Sequence, residues 1–285
     1  MKRKSYENYA KLIAVIALCV LMYACSSVPI TGRSQLSLIS NQEVLSLSLQ
    51  QYNDYMSSAP LSKDKTNTAL VTKVGKNIAT AVAAYYEANG MSSQLSEYSW
   101  EFSLVADNQV NAFCMPGGKI VIYEGILPYT QDETGLAIVI GHEVAHAIAK
   151  HANERISQQV ATQYTGAAVG SLLSKSSSAL QTIGNVAFGL GAQYGVMLPY
   201  SRKQEYEADH IGVILMAIAG YDPNRTVPFW ERMSQQGSSV PEFMSTHPSD
   251  ANRINELKKR LPEAMKYYTG ASGSSNAKTS DQWKF

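Results

Sequence analysis

From Ile138 to Ala149 the chain is apolar on nearly every side of a helical wheel, yet His142, Glu143 and His146 lie inside the run. Ile138, Val139, Ile140, Val144, Ala145, Ala147, Ile148 and Ala149 leave no solvated face, so a helix here has to be buried. Two imidazoles and a carboxylate in such a helix demand partners. At roughly 100° per residue, His142 and His146 lie only about 40° apart and one turn separated, so both can meet one ion. Glu143 is displaced by about 100° and is placed to reach a water on that ion, as a general base must. The expectation is metal-assisted hydrolysis, with the ion polarising a carbonyl and making its water acidic.

Zinc in a catalytic site takes three protein ligands and keeps one position open. His151 follows His142 by nine residues, on roughly the opposite face of a continuous helix, and Ala147 to Lys150 has no Gly to break it. His151 is therefore expected near the surface at the helix end. A better source of the third ligand is the segment from Ser201 to Asp209. Glu205 and Asp209 are four apart on one helical face, so one can ligate while the other orients a ligand histidine through its free N–H. Glu207 points about 160° away from Asp209 and suits neither task, and His210 receives no role.

The N-terminus has a secretory pattern. Lys2, Arg3, Lys4 and Lys11 precede an apolar run from Leu12 to Met22, about half the roughly 20 residues that span a bilayer. Ala24-Cys25-Ser26 resembles the lipid-attachment site of bacterial lipoproteins, with Met22 and Tyr23 departing from its usual residues. A cleaved signal with an incidental cysteine is the alternative. Cys19 and Cys25 belong to this leader, leaving Cys114 as the only thiol in the body, a small core residue with no disulfide partner. A net charge of +1 gives no electrostatic case for nucleic acid.

The expected organisation is a signal over residues 1–25 ending at a lipid-modified Cys25, a tether over 26–40, a peptidase domain over 41–265 and a flexible tail over 266–285. The fold class is α+β, mostly α. Helices are expected over Val44 to Tyr55, Leu70 to Glu87, Gln131 to about Ser157, part of Gly166 to Val196, Gln204 to Ala219, Asn224 to Gln235 and Asp250 to Arg260. A strand from Ser99 to Val105 precedes two strand-like runs around Pro116-Gly117-Gly118, a hairpin signal. The segment Thr165 to Leu198 carries no charge apart from Lys175, and reads as a helical hairpin packed through small residues, or else a flap or contact surface.

Several separated motifs together resemble the zinc metallopeptidases that include CAAX prenyl endopeptidases, heat-shock HtpX-type proteases and periplasmic lipoprotein metalloproteases, of gluzincin type. They are Val28-Pro29-Ile30-Thr31-Gly32-Arg33, Asn111-Ala112-Phe113 with Pro116-Gly117-Gly118, His142 to His146, Ser201 to Asp209, and Thr246-His247-Pro248 with Arg253-Ile254. The resemblance covers roughly Ser26 to Leu261. It implies one Zn2+ per subunit, with Glu205 as third ligand and Asp209 as its helper. It also draws in His247, either donating to the tetrahedral oxyanion or occupying the open metal position at rest. An edge strand beside the metal would bind an extended peptide by strand addition, with Asn111 and Ala112 on the substrate backbone. The implied enzyme is an endopeptidase for unfolded or extended envelope proteins, held by a lipid anchor at the outer membrane and facing the periplasm. The other reading is a chaperone-like binding module with latent peptidase activity.

Overall fold

The computed structural model describes residues 25–163, 201–234, 243–244, 247 and 251–269. Two short strands, β1 (Cys25–Ser27) and β2 (Ser34–Leu36), open the fold. Helices α1 (Asn41–Met56) and α2 (Lys65–Ala88) follow, then β3 (Glu101–Val105), β4 (Ala112–Met115) and β5 (Lys119–Tyr123). The second half comprises α3 (Glu133–Ile148), α4 (His151–Gln163), α5 (Arg202–Ile218), α6 (Thr226–Ser234) and α7 (Ala251–Ala264). The mostly helical α+β class expected from the sequence is what forms. The segment 165–198, the leader 1–24 and the tail from residue 270 lie outside the described residues.

Helix α3 is the centre of the molecule. Asp132 caps its start by accepting a hydrogen bond from the Gly135 N–H at 2.8 Å, and every residue from Gly135 to Ile148 is buried. Helix α2 covers it with Val71, Val74, Ile78 and Val82, and α5 with Ala208, Ile211 and Leu215. The α3–α5 crossing is set by two glycines. A Cβ on Gly212 would stand 3.0 Å from the Gly141 carbonyl carbon and from the His142 nitrogen. Backbones that close bring residues at the start of α5 against the face of α3 that carries the histidines.

The expected long helix from Gln131 to Ser157 is two helices. Lys150 adopts a left-handed conformation (φ 54°), ending α3 and starting α4 in a new direction. The lysine terminates in an ion pair with Glu97 at 2.8 Å. No glycine is needed because the neighbours around Lys150 hold it there.

The sheet order is β3–β5–β4, with β3 parallel and β4 antiparallel to β5. The Pro116-Gly117-Gly118 hairpin forms as expected, and both glycines take positive φ. Strand β4 is an edge. Residues 26–40, read as a tether, are instead packed onto the body: β1 and β2 pair, Val28 and Ile39 are buried, and Arg33 reaches α4 and α5. No helix among the described residues is long and apolar enough to cross a membrane.

Candidate metal centre

Four buried side chains converge beside α3. His142 and His146 project from one face of that helix, Glu205 comes from the first turn of α5, and His247 from the segment after α6. The two Nε2 atoms of His142 and His146 are 3.1 Å apart. The Nδ1 of His247 lies 3.1 Å from His142 Nε2 and 3.1 Å from Glu205 Oε1. Glu205 places its two oxygens 3.4 Å from His142 Nε2 and 3.4 Å from His146 Nε2.

These donors fit a metal ion. Ligands at the usual zinc distances of about 2.0–2.1 Å sit roughly 3.3 Å from one another. The donor contacts here run from 3.1 to 3.4 Å, and all four donors lie within 4.8 Å of one another. Ring nitrogens packed this closely must share protons or a cation between them. Glu205 Oε2 and both oxygens of Glu143 are buried without hydrogen-bond partners, although buried carboxylates normally find donors. Burial opposes a charge on His142, but Asp209 and Glu205 outweigh it and push its pKa up to about 9. Conversely, burial lowers His146 well below the ordinary histidine value. Glu205 is held well below the carboxylate range, its burial outweighed by His247 and Arg253. The centre thus favours one positive charge among its ligands.

Behind the ligands, Asp209 Oδ1 accepts from His142 Nδ1 at 3.0 Å. Arg253 fixes Asp209 with two hydrogen bonds of 2.6 and 2.8 Å and lies 3.2 Å from Glu205 Oε2. This arginine was visible in the sequence only as part of a motif; nothing there marked it as buried against the carboxylates.

His151 is not the surface residue its wheel position suggested. The break at Lys150 folds it back so that it is fully buried, with Nδ1 2.8 Å from His146 Nδ1 and Nε2 3.0 Å from Glu207 Oε2. Glu207, set aside for pointing away from Asp209, lies on the side of α5 that faces α4. Burial opposes its charge, but His151 and Thr31 hold its pKa down to about 2. A wheel drawn through residue 150 could not have found this pair. His210 is buried and pairs with Glu263 at 2.8 Å.

Asn111 and Ala112 are at the β4 edge and buried, rather than open to solvent. The Ala112 N–H donates to the Asn111 side chain at 2.9 Å. One step upstream, the Phe243 N–H donates to the Val110 carbonyl at 2.9 Å, so Phe243 lies beside the start of that edge. Cys25 opens β1, opposite Leu36.

By sequence, the model for peptidase family M48 matches residues 75–261, a stretch that contains His142, His146, Glu205 and His247. The chain belongs to peptidase family M48. Its relatives include the mitochondrial metalloendopeptidase OMA1 of Schizosaccharomyces pombe, 35% identical over 245 residues, which are 84% of this chain and 67% of that one. The human mitochondrial metalloendopeptidase OMA1 is 31% identical over 251 residues, 84% of this chain and 46% of the relative. The beta-barrel assembly-enhancing protease of Escherichia coli K12 is 26% identical over 242 residues, 83% of this chain and 47% of the relative. The M48 chain thus spans about half the length of the human and bacterial relatives. It is a metallopeptidase of this family.

Proposed function

We propose that the chain is a zinc-dependent endopeptidase for extended or unfolded proteins of the cell envelope. The convergence of His142, His146 and Glu205, with the buried Glu143 carboxylate beside them lacking any hydrogen-bond partner, carries this reading. Nitrogen and carboxylate donors in this number favour zinc over magnesium or calcium. When bound, zinc supplies Lewis acidity for the scissile carbonyl and for the attacking water. Asp209 holds His142 with Nδ1 protonated and Nε2 free. Glu143 takes the proton of the attacking water and delivers it to the leaving amine.

His247 would supply a fourth donor in this conformation, which supports the resting-state alternative for it. Phe243, which binds the Val110 carbonyl and accepts from the His247 N–H, stands at the start of the β4 edge, so a substrate strand would meet it there. Pairing through backbone groups at Asn111 and Ala112 makes the enzyme tolerant of side chains and selective for extended chain. No observation among the described residues favours the chaperone-like alternative.

Stripping the metal with a chelator is expected to abolish cleavage of an unfolded casein substrate. One equivalent of Zn2+ should restore it, and Mg2+ should not. Undiminished cleavage by protein shown to be metal-free would overturn the assignment.

An anchor at Cys25 would hold the body close to its membrane, since Val28 is already in the core three residues later. Labelled palmitate supplied to expressing bacteria is expected to enter the wild-type chain and not Cys25→Ser. Equal labelling of both removes the anchor.

A further inference from the structure

We propose that Glu207 and His151 orient the ligand His146, and that Thr31 and Arg33 of the β1–β2 turn lock this pair, making the N-terminal hairpin a positioning element of the metal centre. The inference rests on the metal-binding reading above. It begins with the order of protons along the chain of contacts. Glu207 Oε2 can only accept, so His151 Nε2 at 3.0 Å carries the hydrogen. A neutral His151 then has a bare Nδ1, which accepts from His146 Nδ1 at 2.8 Å. His146 is thereby left with a bare Nε2, the atom that faces Glu205 and His142. One carboxylate, acting through one imidazole, fixes the tautomer that a metal ligand must have. Asp209 does the same for His142 directly. The two histidines of α3 are therefore oriented from behind by two carboxylates on α5, six and eight residues past the cap at Ser201, rounded out by a residue from beyond the helix break.

What keeps Glu207 in place comes from far away in the sequence. Arg33 Nε donates to Glu207 Oε2 at 2.6 Å, while its Nη1 and Nη2 fork onto Glu154 of α4 at 2.7 and 2.8 Å. Thr31 Oγ1 donates to Glu207 Oε1. Both oxygens of Glu207 are thus committed, and its free rotation is removed. The turn that presents Thr31 and Arg33 is itself fixed: Val28 N–H bonds the Arg33 carbonyl at 2.8 Å, Gly32 N–H bonds the Val28 carbonyl at 2.9 Å, and Val28 is buried. Gly32 supplies a positive φ of 67°. The Val28 to Arg33 motif, which lies outside the stretch matched by the family model, thereby gains a task at the metal.

The test uses the full-length chain, stripped of metal and titrated with Zn2+ against a competing chelator, with the visible spectrum of the Co2+-loaded protein as second readout. His151→Leu and Glu207→Gln are expected to weaken zinc binding by about 10- to 100-fold and to alter the Co2+ bands. His151→Asn, which keeps an acceptor near the Nδ1 position, should recover most of the affinity. Arg33→Ala should shift affinity in the same direction by a smaller factor. A purely structural salt-bridge cluster would lower the melting temperature of the metal-free protein while leaving zinc affinity and Co2+ bands as in wild type, and that result overturns the proposal. If His151→Leu does not fold, Glu207→Gln decides alone, and wild-type affinity in it is equally fatal. A wild-type chain that takes up no zinc, with His142→Ala as the matched control, brings down the metallopeptidase reading itself.

Discussion

Glutamine in place of Glu143 is expected to slow peptide cleavage by about 10²–10⁴-fold while zinc remains bound, the usual contribution of a positioned general base. The geometry separates this residue from the ligands. Glu143 follows His142 directly, so it leaves α3 about 100° round from the metal face. His247 Nε2 lies 3.5 Å from its Oε1, beyond a hydrogen bond, and neither carboxylate oxygen has a hydrogen-bond partner. Burial raises its pKa, against the pull of His247 and His142. A carboxylate raised in this way is a stronger base than one at the surface, which suits proton abstraction from water. The same burial makes it costly to the fold. Glu143→Gln should therefore leave the thermal stability of the metal-free protein unchanged or higher, even as activity collapses. Loss of zinc along with activity would reassign Glu143 as a ligand. A wild-type rate would remove it from the chemistry.

How much of this could be read before any coordinates follows from the range of each interaction. His142 and His146 were legible because a regular helix fixes their relation within five residues, and the apolar residues around them forced burial. Glu205 and Asp209 were legible as a pair for the same reason, since Ser201 and Gln204 cap a regular helix around them. His151 failed because the wheel assumes continuity through Lys150. A non-glycine residue in the left-handed region costs roughly 1–2 kcal/mol, and local sequence offers nothing to offset it. The compensation is tertiary: the Lys150–Glu97 ion pair and the two hydrogen bonds of His151. Residues 26–40 looked like a tether because strands of three residues carry no periodicity. Their binding energy comes from partners 121 and 174 positions away from Arg33. The β3–β5 pairing was equally hidden, since parallel neighbours separated by another strand leave no turn signal.

Removing the guanidinium of Arg253, as in Arg253→Met, is expected to destabilise the metal-free protein by about 3–5 kcal/mol, because breaking a buried ion pair strands the remaining charge. Arg253 is fully buried; Asp209 accepts two bonds from it and the His247 carbonyl one at 3.2 Å, while Glu205 Oε2 lies 3.2 Å away as an ion-pair partner. The plane of the guanidinium lies over Trp230 with 3.7 Å from its central carbon to the ring centre. For a body of this size the loss corresponds to a melting shift of roughly 6–20 °C. Zinc should narrow the gap between variant and wild type, since a bound cation replaces part of the missing charge and stabilises only the folded state. Arg253→Lys should recover little, because an ammonium cannot fork onto Asp209 and stack on Trp230 together. If stranded charge is the cause, adding Asp209→Asn to Arg253→Met should regain part of the stability, so the two substitutions would not add. A metal-free Arg253→Met protein within about 1 kcal/mol of wild type would mean that solvent reaches these carboxylates, and the dry, charge-balanced wall behind the histidines would have to be abandoned.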